Sequence, residues 1–160
     1  MILSDNELIA NMETFVGHTD ESLVNPASID IRVGKTFILE NGIGMQNADL
    51  SIAYYILEPG EFVLLETLET LTVPTNYAMD LRLKSSIARQ GINHALAFWF
   101  DPGWHGVGTM EIFNQSRTMP FSITYGMRIA QIIVHELTSV PSKPYNGRYQ
   151  NASGVEETKS

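Results

Sequence analysis

The sequence predicts a mainly β protein, a distorted jelly roll or β-barrel with an N-terminal helix and one short internal helix. Two observations carry that expectation. From residue 28 to residue 140 the chain is a series of short runs rich in Val, Ile, Thr, Phe and Tyr. Asn-Gly, Pro-Gly and single Gly or Pro residues punctuate these runs, as in an all-β domain of short strands. Helical periodicity, by contrast, gives way after Gly17. A length of 160 residues, 44% of them hydrophobic, suits one domain with a real core.

The N-terminal helix is expected over 4–16. Ser4 is its N-cap, Glu7 completes a capping box, and Leu3 can staple onto Leu8. Leu8, Ile9, Met12, Phe15 and Val16 then form one apolar face. Strands are expected at 28–33, 62–67, 107–113 and 129–137, and the short internal helix at 85–90. Residues 1–140 form the single β domain. The tail, 141–160, is poor in apolar residues and almost devoid of them beyond Tyr149. Such a tail either frays or orders as a flap over a ligand, for which Tyr145, Arg148, Tyr149 and Gln150 are recognition-type side chains.

Composition narrows the function. Ten Lys and Arg stand against 18 Asp and Glu, a formal charge of -8, the wrong sign for gripping polymeric DNA or RNA by counterion release. A small anion remains open, because local donors can hold it within a negative protein. There is no cysteine, so disulfide and thiolate chemistry are excluded. No basic leader or membrane-length apolar run is present, and the expectation is a soluble cytoplasmic protein without membrane partners. A zinc nucleobase deaminase needs Cys ligands and an H-x-E motif. Both are missing, and His18, His94, His105 and His135 lack metal-ligand spacing. Neither G-x-S-x-G, a P-loop nor a Rossmann fingerprint occurs.

Two stretches carry chemistry. In Lys84-Ser85-Ser86-Ile87-Ala88-Arg89-Gln90-Gly91 a serine can cap a two-turn helix that Gly91 stops. Ser85 and Arg89 lie at i and i+4, so hydroxyl, backbone donors and guanidinium can converge on one anion, with Lys84 beside them. The same pattern is also an ordinary cap with solvated charges. In the second stretch, Asp101-Pro102-Gly103 is a turn leading through Trp104-His105-Gly106 into an alternating strand. Val107, Thr109, Glu111 and Phe113 share one face, among which Glu111 is partly desolvated and able to trade protons near neutrality. A structurally satisfied carboxylate is the competing reading for Glu111, and a routine turn residue for Asp101.

Five ordered blocks resemble dCTP deaminase, of the trimeric dUTPase superfamily. They are Asn25-Pro26-Ala27-Ser28-Ile29-Asp30-Ile31-Arg32-Val33-Gly34, Leu57-Glu58-Pro59-Gly60-Glu61, the double-serine helix, the Asp-Pro-Gly turn with Glu111, and Pro144-Tyr145-Asn146 with Arg148-Tyr149-Gln150. The resemblance implies a dUTPase-like homotrimer with active sites between subunits, and Mg²⁺ arriving on the triphosphate without zinc. It implies that Glu111 activates water, that Ser85, Ser86 and Arg89 serve the phosphate and catalytic segment, and that the Ala97 backbone lies against the base. It also implies that Asp101 serves a phosphate-hydrolysing water and that Tyr145 and Arg148 close over the phosphates.

The chain departs from the pattern in places. Lys84 stands where arginine is usual, Phe98-Trp99-Phe100 replaces a more polar run, and Trp99 is similar to bifunctional relatives. Ala152 replaces a phosphate-binding glutamine, for which Gln150 is the available substitute. The expected activity is deamination of dCTP to dUTP and ammonia, feeding dTTP synthesis. The alternatives are a bifunctional deaminase/dUTPase or a dUTPase giving dUMP, and a non-catalytic nucleotide-binding regulator; dTTP is a candidate inhibitor.

Overall fold

The computed structural model describes residues 1–40, 45–50, 54–95 and 97–159, the side chains of 45–47 excepted. The Asn-Gly turn signal at 41–42 lies outside them. The helix expected over 4–16 is divided into α1 (Asp5–Ala10) and α2 (Met12–Phe15). Asn11 separates them at φ -123°, and its side-chain amide donates to the Glu7 carbonyl. The start of α1 follows its sequence: the Ser4 N–H and hydroxyl both bond the Glu7 carboxylate, closing the capping box. Leu8, Phe15 and Val16 enter the core, while Ile9 faces out.

The chain continues through β1 (Val16–Gly17), a 3-10 turn at Glu21–Leu23, and β2 (Val24–Asn25) into the long β3 (Ser28–Glu40). Next come β4 (Met45–Asp49), β5 (Tyr55–Leu57), β6 (Phe62–Thr72) and β7 (Tyr77–Leu83). After the internal helix α3 (Ser85–Ala88) follow β8 (Ile92–His94) and β9 (Trp99–Phe100). The last strands are β10 (His105–Asn114), β11 (Phe121–Ile123) and β12 (Arg128–Glu136).

Among the described residues the main sheet runs β8-β10-β6-β3-β12-β7-β9, and β5 pairs with β11 in a small second sheet. β3 belongs to both halves of the main sheet. Its first part pairs antiparallel with β12, its second with β6 and β4. The register against β6 slips between Val33 and Phe37. Such bulges bend a strand and steepen its twist, which curls the sheet. The N–H groups of Lys35 and Thr36, freed at the bulge, each donate to the Glu66 carboxylate at 2.8 Å.

The core includes Ile29, Ile31, Val33, Leu65, Met79 and Val134, all essentially buried. Full burial of each such side chain stabilises by about 1.5–3 kcal/mol. Two buried acids lie beside this core. Glu69 accepts from Arg32 Nε at 2.7 Å and from the Arg32 N–H at 2.9 Å. Asp30 accepts from Lys84 Nζ at 2.5 Å and Asn25 Nδ2 at 2.8 Å, with Arg128 Nη1 at 3.7 Å.

Candidate active site

β10 alternates as its sequence predicts: Gly106, Gly108, Met110 and Ile112 are buried, whereas Val107, Thr109, Glu111 and Phe113 are half-exposed. The second face opens onto a cleft of about 730 Å³. β6 contributes Phe62 and Leu64, β10 contributes Val107, Thr109 and Glu111, and the segment before the turn contributes Ala97, Trp99, Phe100 and Asp101. The C-terminal tail supplies Tyr145, Tyr149, Ala152, Glu156, Glu157 and Thr158.

Glu111 is the chemically distinctive residue. Its Oε2 is buried and has no hydrogen-bond partner among the described residues. Burial raises its pKa above the ordinary 4.5, offset in part by its own backbone N–H. A carboxylate without an ion-pair partner among the described residues, facing a cleft, is a candidate to exchange protons with water. Asp101 differs: it is exposed, and its Oδ1 accepts from Trp99 Nε1 at 3.1 Å. The turn expected around it is present, closed by Trp104 N–H donating to the Asp101 carbonyl at 3.0 Å.

The cradle differs in detail from its sequence pattern. No serine side chain caps α3; the cap position is Lys84, in extended backbone, and Ser85 is already the first helical residue. The helix ends at Ala88 and not at 90, although Arg89 N–H still donates to the Ser85 carbonyl at 3.1 Å. Gly91 does supply the left-handed stop, at φ +83°. Ser85, Ser86 and Arg89 are exposed, while the Lys84 ammonium is engaged by Asp30.

The cleft thus brings together Glu111, Asp101, Ala97 and Tyr145, and none of Lys84, Ser85, Ser86, Arg89, Arg148 and Gln150 is among its lining residues. Gln150 pins the tail to the turn: its Nε2 donates to the Gly103 carbonyl at 2.9 Å, and its Oε1 accepts from His105 N–H at 3.2 Å. Arg148 donates to the Lys159 carbonyl at 2.7 Å. Sequence reasoning missed Thr109 and Glu156 as cleft residues. Thr109 was legible, lying on the Glu111 face by period-two alternation. Glu156 gave no signal, because its place depends on how the tail folds back. Among the described residues no group of three or more His, Cys, Asp or Glu could hold a metal ion, and no helix is long and apolar enough to cross a membrane.

Comparison with solved structures gives the class first. The crystal structure of 2'-deoxycytidine 5'-triphosphate deaminase from Agrobacterium tumefaciens matches with a TM-score of 0.70 at 24% identity, covering 83% of this chain and 47% of that one. The EIAV dUTPase matches with a TM-score of 0.55 at 18% identity, covering 83% and 92%. The fold is therefore dUTPase-like, as the strand pattern and motif order anticipated.

Sequence comparison narrows the class. The dCTP deaminase-like family model matches residues 2–137. A relative from Streptomyces avermitilis, named "dCTP deaminase, dUMP-forming", is 34% identical and covers 100% of this chain and 95% of its own length. A Pyrococcus horikoshii relative, named "dCTP deaminase", is 32% identical, covering 96% and 94%. The chain belongs to the dCTP deaminase-like family.

Proposed function

We propose that this chain deaminates dCTP hydrolytically, with Glu111 as the general base. The observation that carries this reading is the unpartnered, buried carboxylate oxygen of Glu111 facing the cleft. Glu111 takes a proton from water, and the resulting hydroxide adds to C4 of cytosine. The protonated acid gives that proton to N3 of the ring; the C4 hydroxyl proton then passes by way of Glu111 to the amino group, and the C4–N bond breaks to release ammonia, giving dUTP. Every atom is supplied by water and substrate.

The cleft carries Asp101, Glu111, Glu156 and Glu157 but no Lys or Arg among its described lining residues. A triphosphate needs cations there. Arg89 supplies one, and Ser85 and Ser86 supply hydroxyl donors, all exposed elsewhere on the chain, if a second copy presents its cradle to this cleft. A homotrimer with sites between subunits is the proposed assembly. Mg²⁺ would be held chiefly by the triphosphate oxygens and water, as this ion prefers, with Asp101 and Glu157 of the cleft lining as the carboxylates that would bind its water; it would neutralise phosphate charge.

A second reading, in which dUTP is further cut to dUMP and pyrophosphate, is favoured by Asp101 lining the same cleft as Glu111. The name of the Streptomyces avermitilis relative points the same way. Incubation with dCTP and with dUTP, reading ammonia and pyrophosphate separately, tests both. Ammonia release from dCTP that disappears in Glu111→Gln is the expected outcome, and its absence in the wild type rejects deamination. Pyrophosphate release lost in Asp101→Asn while ammonia persists supports the second reading; no pyrophosphate from either nucleotide rejects it.

A further inference from the structure

The tail does not lie on the barrel at random. Asn151 N–H donates to the His105 carbonyl and Val107 N–H to the Ala152 carbonyl, both at 2.8 Å, so the tail bridges the start of β10 in parallel. β8 pairs with β10 only at Ile112–Asn114, which leaves this stretch of edge for the tail. Gly106 makes the approach possible. At φ +148°, a Cβ there would sit 2.7 Å from the Ala152 N, a distance no side chain tolerates.

Beyond Ala152 the tail crosses the β10 and β6 faces, and the next two hydrogen bonds go to side chains. Val155 N–H donates to Glu66 Oε2 at 3.2 Å and Glu156 N–H to Thr109 Oγ1 at 3.1 Å. Glu66 and Thr109 are direct cross-strand partners in the β6–β10 register, so two consecutive tail N–H groups are received by one cross-strand pair. Glu66 has a second attachment, because its Oε1 receives Lys35 and Thr36 at the β3 bulge. One carboxylate therefore joins the bent wall of the barrel to the tail. Glu111, two residues along β10, lies next on the same face.

We propose that Glu66 and Thr109 are positioning residues that form a clasp, holding 152–156 closed beside Glu111 and setting how readily the cleft opens to exchange nucleotide. The clasp acts through the tail. Neither residue is assigned a part in the bond-making steps. Its effect on turnover rests on the deaminase reading above, whereas its effect on the tail does not.

Hydrogen exchange of the 151–156 amides in the full chain tests the clasp without any catalysis. In Glu66→Gln one oxygen still serves the β3 bulge, but the second acceptor is replaced by an NH₂ donor that cannot receive Val155. In Thr109→Val the shape stays and the acceptor is lost, and this variant leaves the β3 bulge untouched should Glu66→Gln fold poorly. Each variant is expected to speed tail exchange about fivefold, the worth of one net hydrogen bond. Thr109→Ser, which restores the hydroxyl, returns wild-type exchange. With dCTP, KM rises by about the same factor in Glu66→Gln and kcat changes less. Wild-type protection in both acceptor-lacking variants overturns the clasp, as does Thr109→Ser exchanging like Thr109→Val. Fast tail exchange together with no ammonia from the wild type leaves the clasp standing and removes the deaminase reading.

Discussion

Glu69 on β6 and Glu111 on the adjacent β10 are both pushed above the ordinary glutamate pKa by burial, yet the two surroundings put that cost to opposite use. Glu69 is fully buried but grasped by the Arg32 guanidinium and backbone N–H. Arg32 is fixed in turn by its Nη2 donating to the His18 carbonyl at 2.5 Å. Glu111 is only half-buried, faces a cleft and has an oxygen with no partner among the described residues. The difference teaches that burial alone does not make a carboxylate reactive. Burial beside a cation makes an anchor, whereas burial beside a cavity leaves a carboxylate that suits the proposed general base.

The strongest way to break this contrast is Glu111→Gln. Deamination is expected to fall by about 10²–10⁴-fold, the range for losing a general base, as read by ammonia release. Stability should move the other way. Because the folded-state pKa of Glu111 is raised, folded protein binds that proton more tightly than the unfolded chain does. The stability linked to it is complete below the ordinary value and is lost as pH rises through the raised one. Glutamine removes that loss, so the variant melts no lower than wild type at neutral pH.

Arg32→Met asks the converse question of Glu69 and leaves a buried acid without its cation. Removing one partner of a buried pair costs about 3–5 kcal/mol, and the lower end applies because the Arg32 side chain is 23% exposed. Denaturant unfolding measures this, and adding Glu69→Gln recovers most of the loss. Equal stability of Arg32→Met and wild type would remove the anchor side of the comparison.

The smallest effect is on the pH profile. With Glu111 acting as a base, kcat/KM for dCTP falls as pH drops through its raised pKa, so the acid limb has its midpoint above 4.5. Arg32→Lys, which keeps the anchor's charge, should not shift that midpoint. A limb at or below the ordinary value assigns the base to a more exposed carboxylate.

Much of this was legible in the sequence because it rests on local rules. The capping box at Ser4 and Glu7, the alternation through β10, the Asp101 turn and the Gly91 stop each need only neighbours in the chain. What was hidden depends on distant partners. Lys84 reads as a free cation until β3 brings Asp30 to it across 54 positions of sequence. The break at Asn11 reverses an uninterrupted apolar periodicity through a side chain that bonds Glu7 instead of solvent. The tail reads as either frayed or a flap, because its order comes in part from backbone groups on a β10 edge that no residue in 141–160 encodes by itself.

The double membership of β3 has a consequence for how the chain comes into being. Ser28 at its start bonds Gln131, 103 positions later, by a 2.8 Å side-chain contact, while Val33 to Leu39 pair with β6. During synthesis the second part of β3 finds β6 early, but the first part has only the two-residue β2 beside it until β12 and nearly the whole domain have emerged. Its other edge, along Ile29 and Ile31, stays unpaired through that interval. Long-range pairing of this kind slows folding and exposes strand edges to other chains, so this half-strand is where a nascent copy is most open to pairing with the wrong partner.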